Sequence, residues 1–345
     1  MRAVVIHAEK DLRVEERPVP ELGPLDVRVR VKAGGICGSD LHYYLHGGFG
    51  TIRLREPMIL GHEISGVVEA IGAEVSRVSP GDLVAVNPSR ACGRCRYCQN
   101  GAQQHCLDML FYGSAMRFPH VQGGFRELLV VEERQAVKLP AHVGAAQAAF
   151  AEPLAVCLHA VKRAGPLLGR RVLVTGSGPI GVLTVVAARA AGAAEIVVTD
   201  VVETPLPIAL KMGASAAIDV MAEPERLKRD YGAQKGSFDV MFECSGNQHA
   251  LTGAFDALRP GAVIVQIGVG GDFTIPMNVV VAKEFDLRGS FRFHEEFDWA
   301  AELIGSGRID LSPLLTASIP IERAVEAFDL AADKSRAMKV QLAFG

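Results

Sequence analysis

The feature that most constrains this chain is GSGPIG, residues 176–181. It is flanked by RRVLVTG (170–176) and PIGVLTVVAARAAGA (179–193). The first flank reads as a short buried strand. The second has the apolar spacing and length of a helix and ends in glycine. A glycine-rich turn that leaves a buried strand and opens a helix belongs to a parallel sheet with helical crossovers. EIVVTD (195–200) supplies the next strand. AAID (216–219), FDVMFECSG (238–246), AVIVQIG (262–268) and FDLRGSF (285–291) continue the series, with helical stretches ending at 209–214 and near 223–231 and 248–258 between them.

Gly176, Gly178 and Gly181 form the G-x-G-x-x-G spacing, and Asp200 closes the following strand. That context is the fingerprint of a dinucleotide site. Gly176 permits the tight turn, Gly178 lets the backbone approach a pyrophosphate at the helix N-terminus, and Gly181 allows close helix–strand packing. A carboxylate at 200 accepts hydrogen bonds from ribose hydroxyls and repels a 2′-phosphate, so NAD is expected over NADP. The run after it, VVETPLPIAL, carries Pro205 and Pro207. Pro205 suits the first turn of a helix; Pro207 removes a further N–H and is the less comfortable of the two.

The first 150 residues have a different grammar. RAVVIH (2–7), DVRVRVKAGG (26–35), ISGVVEAIG (64–72) and DLVAV (82–86) are short β-type runs between Pro and Gly turns, and 26–32 alternates charged and apolar residues. This predicts a partly open β-barrel. Helices at 295–305 and 322–332 precede a last strand, MKVQLAF (338–344), that can return to the barrel. The expected division is 1–150 with 290–345 as one domain and 151–289 as the other.

Four of the seven cysteines fall in CGRCRYCQNGAQQHC: Cys92, Cys95, Cys98 and Cys106. Four thiolates close a tetrahedron around zinc and leave no open position, so the site staples a loop; an iron–sulfur cluster is the rival reading. The opening MRAVVIHAEKDLRVEE is charged throughout, without an apolar signal core. With an odd cysteine count, this sets cytoplasm as the expectation. A net charge of −3 over 345 residues offers no basic stripe for nucleic acid or a membrane surface.

GICGSDLH (35–42), GHEISG (61–66), the four-cysteine loop, AEPLAV (151–156) and GSGPIG occur in that order. Together they resemble the zinc-dependent medium-chain alcohol and polyol dehydrogenases over essentially the whole chain. The stretches HYYLHGGFG, YGSAMRFPHVQGGFRE, GSFRFHEEF and ADKSRAMKVQL are most similar to the L-idonate 5-dehydrogenases within the sorbitol-dehydrogenase-like branch. The resemblance implies a GroES-like barrel and a doubly wound Rossmann domain, α/β overall, with the active site in the cleft between them.

It also implies residue roles. Cys37, His62 and a carboxylate hold a catalytic zinc, the carboxylate being Glu152 or Glu63. Cys157 is a lesser substitute. Zinc with an open fourth position acidifies a substrate hydroxyl so that hydride can pass to NAD, and Ser39 and His42 relay the proton to solvent. Ile180, Val269 and Ser290 join the glycines and Asp200 at the cofactor. Tyr43, Glu152 and Arg292 face the substrate, with His46, Arg117, His120 and His294 as further candidates. The implied reaction is L-idonate to 5-keto-D-gluconate; a polyol such as sorbitol or xylitol is the alternative, and L-threonine a lesser one. A homo-oligomer, tetramer or dimer, paired through the Rossmann domains is implied as well.

Overall fold

A computed structural model describes all residues, 1–345. The chain divides into two compact units, Met1–Glu152 with Phe297–Gly345, and Pro153–Glu296.

The first unit is organised around the strand Asp26–Gly35. Glu63–Ile71 pairs antiparallel along nearly its whole length. On its other edge, Leu128–Glu132 covers residues 26–30 and Lys339–Ala343 covers 33–35. Two register breaks in the pairing with Glu63–Ile71 bend the strand, as a sheet closing on itself requires. The alternation legible at 26–32 is the pleat itself. Val27, Val29 and Val31 are fully buried, each stabilising by about 1.5–3 kcal/mol, while Arg28 and Arg30 turn outward to Glu69. The last strand does return to the barrel, closing one end through Leu342 and Ala343 opposite Gly34 and Ala33.

A small lobe carries the four clustered cysteines. It is bounded by the pairing of Ser89–Arg90 with Leu110–Phe111, and holds one short helix, Arg96–Gln99, and a 3₁₀ turn, Gln103–His105.

The second unit is a six-stranded parallel sheet. Numbered within the unit, its strands lie in the order 3-2-1-4-5-6, the doubly wound arrangement whose ligand crevice lies beyond the strand ends where the order reverses. That reversal falls between Arg171–Thr175 and Phe238–Glu243. Two elements are shorter than their sequence patterns suggest. The stretch 285–291 is a strand only over Asp286–Gly289, and the helix at 248 ends at Gly253, followed by a 3₁₀ turn. Pro207 is better placed than expected. The helix is Leu206–Lys211 with Pro205 at its N-cap, so Pro207 lies in the first turn, where an N–H has no intrahelical acceptor. No helix is long and apolar enough to cross a membrane.

Candidate active site and metal centres

Pairing Gly35 against Glu63 sets the end of one strand beside the start of its neighbour. Cys37 follows the first strand as N-cap of the helix Gly38–His46, and His62 and Glu63 open the second. The Cys37 sulfur, an imidazole nitrogen of His62 and a carboxylate oxygen of Glu63 therefore lie within 4.8 Å of one another. Asp40 supports the group from below. It is completely buried and accepts the Cys37 N–H at 3.0 Å and the Gly61 N–H at 3.2 Å. Its Oδ1 lies 3.8 Å from His62 Nδ1, too far to bond, and that buried nitrogen has no hydrogen-bond partner.

The electrostatics fit a cation. Burial, the strongest influence on His62, favours a neutral ring. The charges of Asp40 and Cys37, a hydrogen bond to Cys37 and the charge of Glu152 outweigh it and hold the imidazole well above its ordinary value. A thiolate, an imidazole and a carboxylate around one point, with an orphaned ring nitrogen, are a donor set for zinc. Glu152 lies outside this three-donor group, yet it is buried, and its charge acts on both His62 and Lys339. Cys157 is elsewhere: it is buried on the helix Ala151–Ala164 and its thiol donates to the Ile180 carbonyl at 3.4 Å.

Cys92, Cys95, Cys98 and Cys106 form the second group, with their sulfurs also within 4.8 Å of one another. The N–H groups of Cys98 and Leu107 pull the Cys95 thiol down to about 6, whereas burial and the neighbouring thiols push Cys98 up to about 12. Four thiolates cannot share this space without a cation among them, so the set fits a closed zinc site.

In the second unit, Gly176 adopts φ +85°, and a Cβ at Gly181 would lie 1.8 Å from the Gly176 carbonyl oxygen. Gly178 caps the helix Pro179–Ala190 and a Cβ there would point into open space, the approach a pyrophosphate needs. Asp200 accepts the Ser177 N–H and hydroxyl at one oxygen and the Val201 and Val202 N–H groups at the other. It thus fastens the glycine turn to the next strand. The Ser290 hydroxyl is buried without a partner, and Val269 is exposed.

Comparison with known proteins agrees with this geometry. Residues 23–141 match the alcohol dehydrogenase GroES-like domain, and residues 179–306 the zinc-binding dehydrogenase domain. The chain is 43% identical to an L-idonate 5-dehydrogenase (NAD(P)(+)) of Escherichia coli, covering 99% of this chain and 98% of that one. The chain belongs to the zinc-dependent medium-chain dehydrogenases. A sorbitol dehydrogenase of Gallus gallus is 38% identical over 95% of this dehydrogenase and 92% of its own length. The crystal structure of L-idonate 5-dehydrogenase from E. coli superposes with a TM-score of 0.95 at 42% identity, covering 99% and 98% of the two chains. The α/β class with a GroES-like and a Rossmann unit, expected from the motifs, is borne out.

The remaining candidates of this dehydrogenase divide into two kinds. Ser39 and His42 lie three residues apart on the helix Gly38–His46, both half-buried. Burial, then the charges of His46 and Lys334, lowers the His42 pKa. His42 also packs on Phe49, with centroids 4.8 Å apart. Arg292 has φ +53°, a left-handed backbone that a side-chain-bearing residue keeps only where its surroundings impose it. Its neighbours supply that: the Ser290 N–H donates to Gln266 O at 2.9 Å and the His294 N–H to Glu296 at 2.7 Å.

Others are engaged in structure. The Tyr43 hydroxyl accepts the Ala115 N–H at 3.0 Å. His120 is buried, with Nε2 accepting the Arg55 N–H and Nδ1 donating to Arg117 O. Arg117 pairs with Asp108 at 2.7 Å, and His46 is exposed beside His42.

Sequence reasoning missed Asp40 and Lys339. Asp40 was detectable: an acidic residue three places after an N-cap position is a capping signal. Lys339, buried in the last strand, donates to Ile36 O at 3.0 Å and to Glu63 at 2.6 Å, and nothing local marks it.

Proposed function

We propose that this dehydrogenase oxidises a secondary alcohol of a sugar acid with NAD, and that its reaction is L-idonate to 5-keto-D-gluconate. The observation that carries the substrate is the 43% identity, sustained over 99% of the chain, to an L-idonate 5-dehydrogenase. Bound zinc supplies Lewis acidity toward a hydroxyl oxygen, and bound NAD accepts the hydride.

The chain's own residues do the rest. Cys37 and His62, with Glu63 or Glu152, would hold the catalytic ion. Cys92, Cys95, Cys98 and Cys106 would hold the second. Ser39 takes the hydroxyl proton and His42 passes it outward, its lowered pKa keeping the ring free to accept at neutral pH. Gly176, Gly178, Ile180, Gly181, Val269 and Ser290 form the dinucleotide surface. Asp200 stands where ribose hydroxyls would meet an acceptor, which favours NAD over NADP. Arg292, a planar donor, suits a substrate carboxylate, and Tyr43 and Glu152 are the other residues assigned to the substrate.

Initial rates with NAD on L-idonate, sorbitol, xylitol and L-threonine test the proposal. L-Idonate is expected to give the highest kcat/KM, and a clear preference for a polyol would overturn the assignment.

A homo-oligomer, tetramer or dimer, is part of the same reading. The strand Asp286–Gly289 is an open sheet edge, and Leu287 on it and Met277 and Val281 on the helix Met277–Lys283 are exposed apolar residues, the kind of surface a second copy covers. Leu287→Lys is expected to lower the mass measured by light scattering. Clustered cysteines serving as metal ligands without disulfides favour a reducing compartment, the cytoplasm.

A further inference from the structure

Glu243 ends the strand Phe238–Glu243, at the point where the strand order of the parallel sheet reverses. It is completely buried, and the hydrogen-bond donors to its side chain are all neutral. A carboxylate survives such burial only if neutral donors satisfy it. Here they come from both sides. Oε1 accepts the Ser245 N–H at 2.8 Å and the Ser245 hydroxyl, with the Thr175 hydroxyl at 3.5 Å. Oε2 accepts the Gly246 N–H at 2.9 Å and the Gln266 amide. The backbone carbonyl of the same residue accepts the N–H groups of Ile267 and Gly268 at 2.9 and 2.8 Å.

One residue therefore ties together the ends of three strands, Arg171–Thr175, Phe238–Glu243 and Leu258–Gln266, and the turns that leave them. Those turns are packed backbone on backbone. A Cβ at Gly268 would lie 2.2 Å from the Gly246 nitrogen, and one at Gly176 would lie 2.9 Å from the Ser245 nitrogen. The glycine-rich turn thus rests on Ser245, and Ser245 is held by Glu243. No packing residue of the same size would do this: an apolar side chain leaves the Ser245, Gly246 and Gln266 donors unsatisfied.

We infer that Glu243 is a positioning residue for the dinucleotide. It sets the mutual height of the three turns on which the nicotinamide mononucleotide half, with its own phosphate, rests, while the adenosine half with its phosphate, on the Asp200 side of the sheet, is left to other residues. The inference rests on the reading of GSGPIG as a dinucleotide turn. Its geometry names a specific failure. An amide at 243 turns an NH₂ toward donors that now share two oxygens, so either the Ser245 pair or the Gly246–Gln266 pair loses its acceptor and moves away.

The test is equilibrium binding to the purified zinc-loaded enzyme, read by nicotinamide fluorescence for NADH and by calorimetry for AMP. Glu243→Gln is expected to raise the NADH Kd tenfold or more and to leave the AMP Kd within twofold. Gln266→Leu, which removes one donor and keeps the carboxylate, is expected to move the NADH Kd about threefold in the same direction, and carries the test if the first variant does not fold. With NAD as varied substrate, KM should rise by more than kcat falls. Parent-like NADH binding in both variants, or a parallel weakening of NADH and AMP with a falling Tm, would overturn the inference. Failure of the parent enzyme to bind NADH would instead remove the dinucleotide reading beneath it.

Discussion

The Lys339 ammonium lies 2.6 Å from both carboxylate oxygens of Glu63, and both side chains are buried. Glu63 also belongs to the three-donor group with Cys37 and His62. The lysine therefore holds the carboxylate beside the metal donors while satisfying its charge. Removing the lysine strands a buried carboxylate, and breaking a buried pair costs about 3–5 kcal/mol. Lys339→Met is expected to lose stability on that scale in urea. It should retain two zinc ions per chain by elemental analysis, because every proposed metal donor remains, while kcat falls by about tenfold or more as Glu63, without its lysine, shifts. Parent kcat would show that the pair is only a packing device.

The cysteine loop makes a separable prediction. Its four sulfurs are grouped in the small lobe, apart from the Cys37 group. A closed tetrahedral zinc contributes folding energy rather than chemistry. Cys95→Ser is expected to lower zinc from two ions per chain to one and to open the segment 92–106 to limited proteolysis. The remaining zinc should stay with Cys37 and His62. Loss of both ions from this single substitution would contradict two independent centres.

Much of this architecture is legible in order along the chain because its signals are local. The alternation of Val27, Val29 and Val31 with Arg28 and Arg30 is a pleat, the glycine spacing at 176–181 is a turn, and the cysteine spacing folds into a cluster of four sulfurs fit for a metal. What stayed hidden depends on partners brought together by folding. Lys339 is 276 residues from Glu63, and its surroundings in the sequence read only as a terminal strand. Glu152 is a metal-ligand candidate by resemblance, and its relation to the three-donor group is a matter of tertiary placement. Glu243 left a trace that pattern reading passed over: a carboxylate closing the apolar run FDVMFE must find donors if the strand is buried.

A second buried pair predicts an acid transition. Glu296 is completely buried; His159 Nδ1 lies 3.0 Å from it and Lys162 3.1 Å. Burial, the largest effect, pushes this carboxyl up. The His159 hydrogen bond and the His294 N–H outweigh it, bringing the group down to about 2. Because the folded value is depressed, the stabilisation is fully present above the ordinary carboxylate value near 4.5 and is lost as pH falls toward about 2. That gap corresponds to about 3 kcal/mol at most. In urea titrations, Glu296→Gln should cost about 2–3 kcal/mol at pH 6. The difference from the parent should shrink by about 1 kcal/mol at pH 3.5. A pH-independent difference would show that the carboxylate charge is not what stabilises the pair.

The proposed proton route can be separated from the metal site by chemical rescue. His42 is half-buried, and burial with the nearby His46 and Lys334 lowers its pKa from the ordinary 6.5. The ring is therefore neutral at pH 7 and able to accept a proton, and it becomes blocked only as pH falls through its depressed value. Oxidation by the parent should keep its rate from pH 8 to below 6.5, then decline. His42→Ala removes the outward step but none of the metal donors. A positioned proton acceptor contributes about 10²-fold or more to such a transfer, so kcat for oxidation should fall on that scale with zinc content unchanged. Added imidazole should restore part of the rate, in proportion to its neutral form and so increasingly toward high pH. A parent-like kcat in His42→Ala, or a loss that imidazole cannot relieve at any pH, would remove His42 from the route and leave Ser39 to deliver its proton directly to solvent.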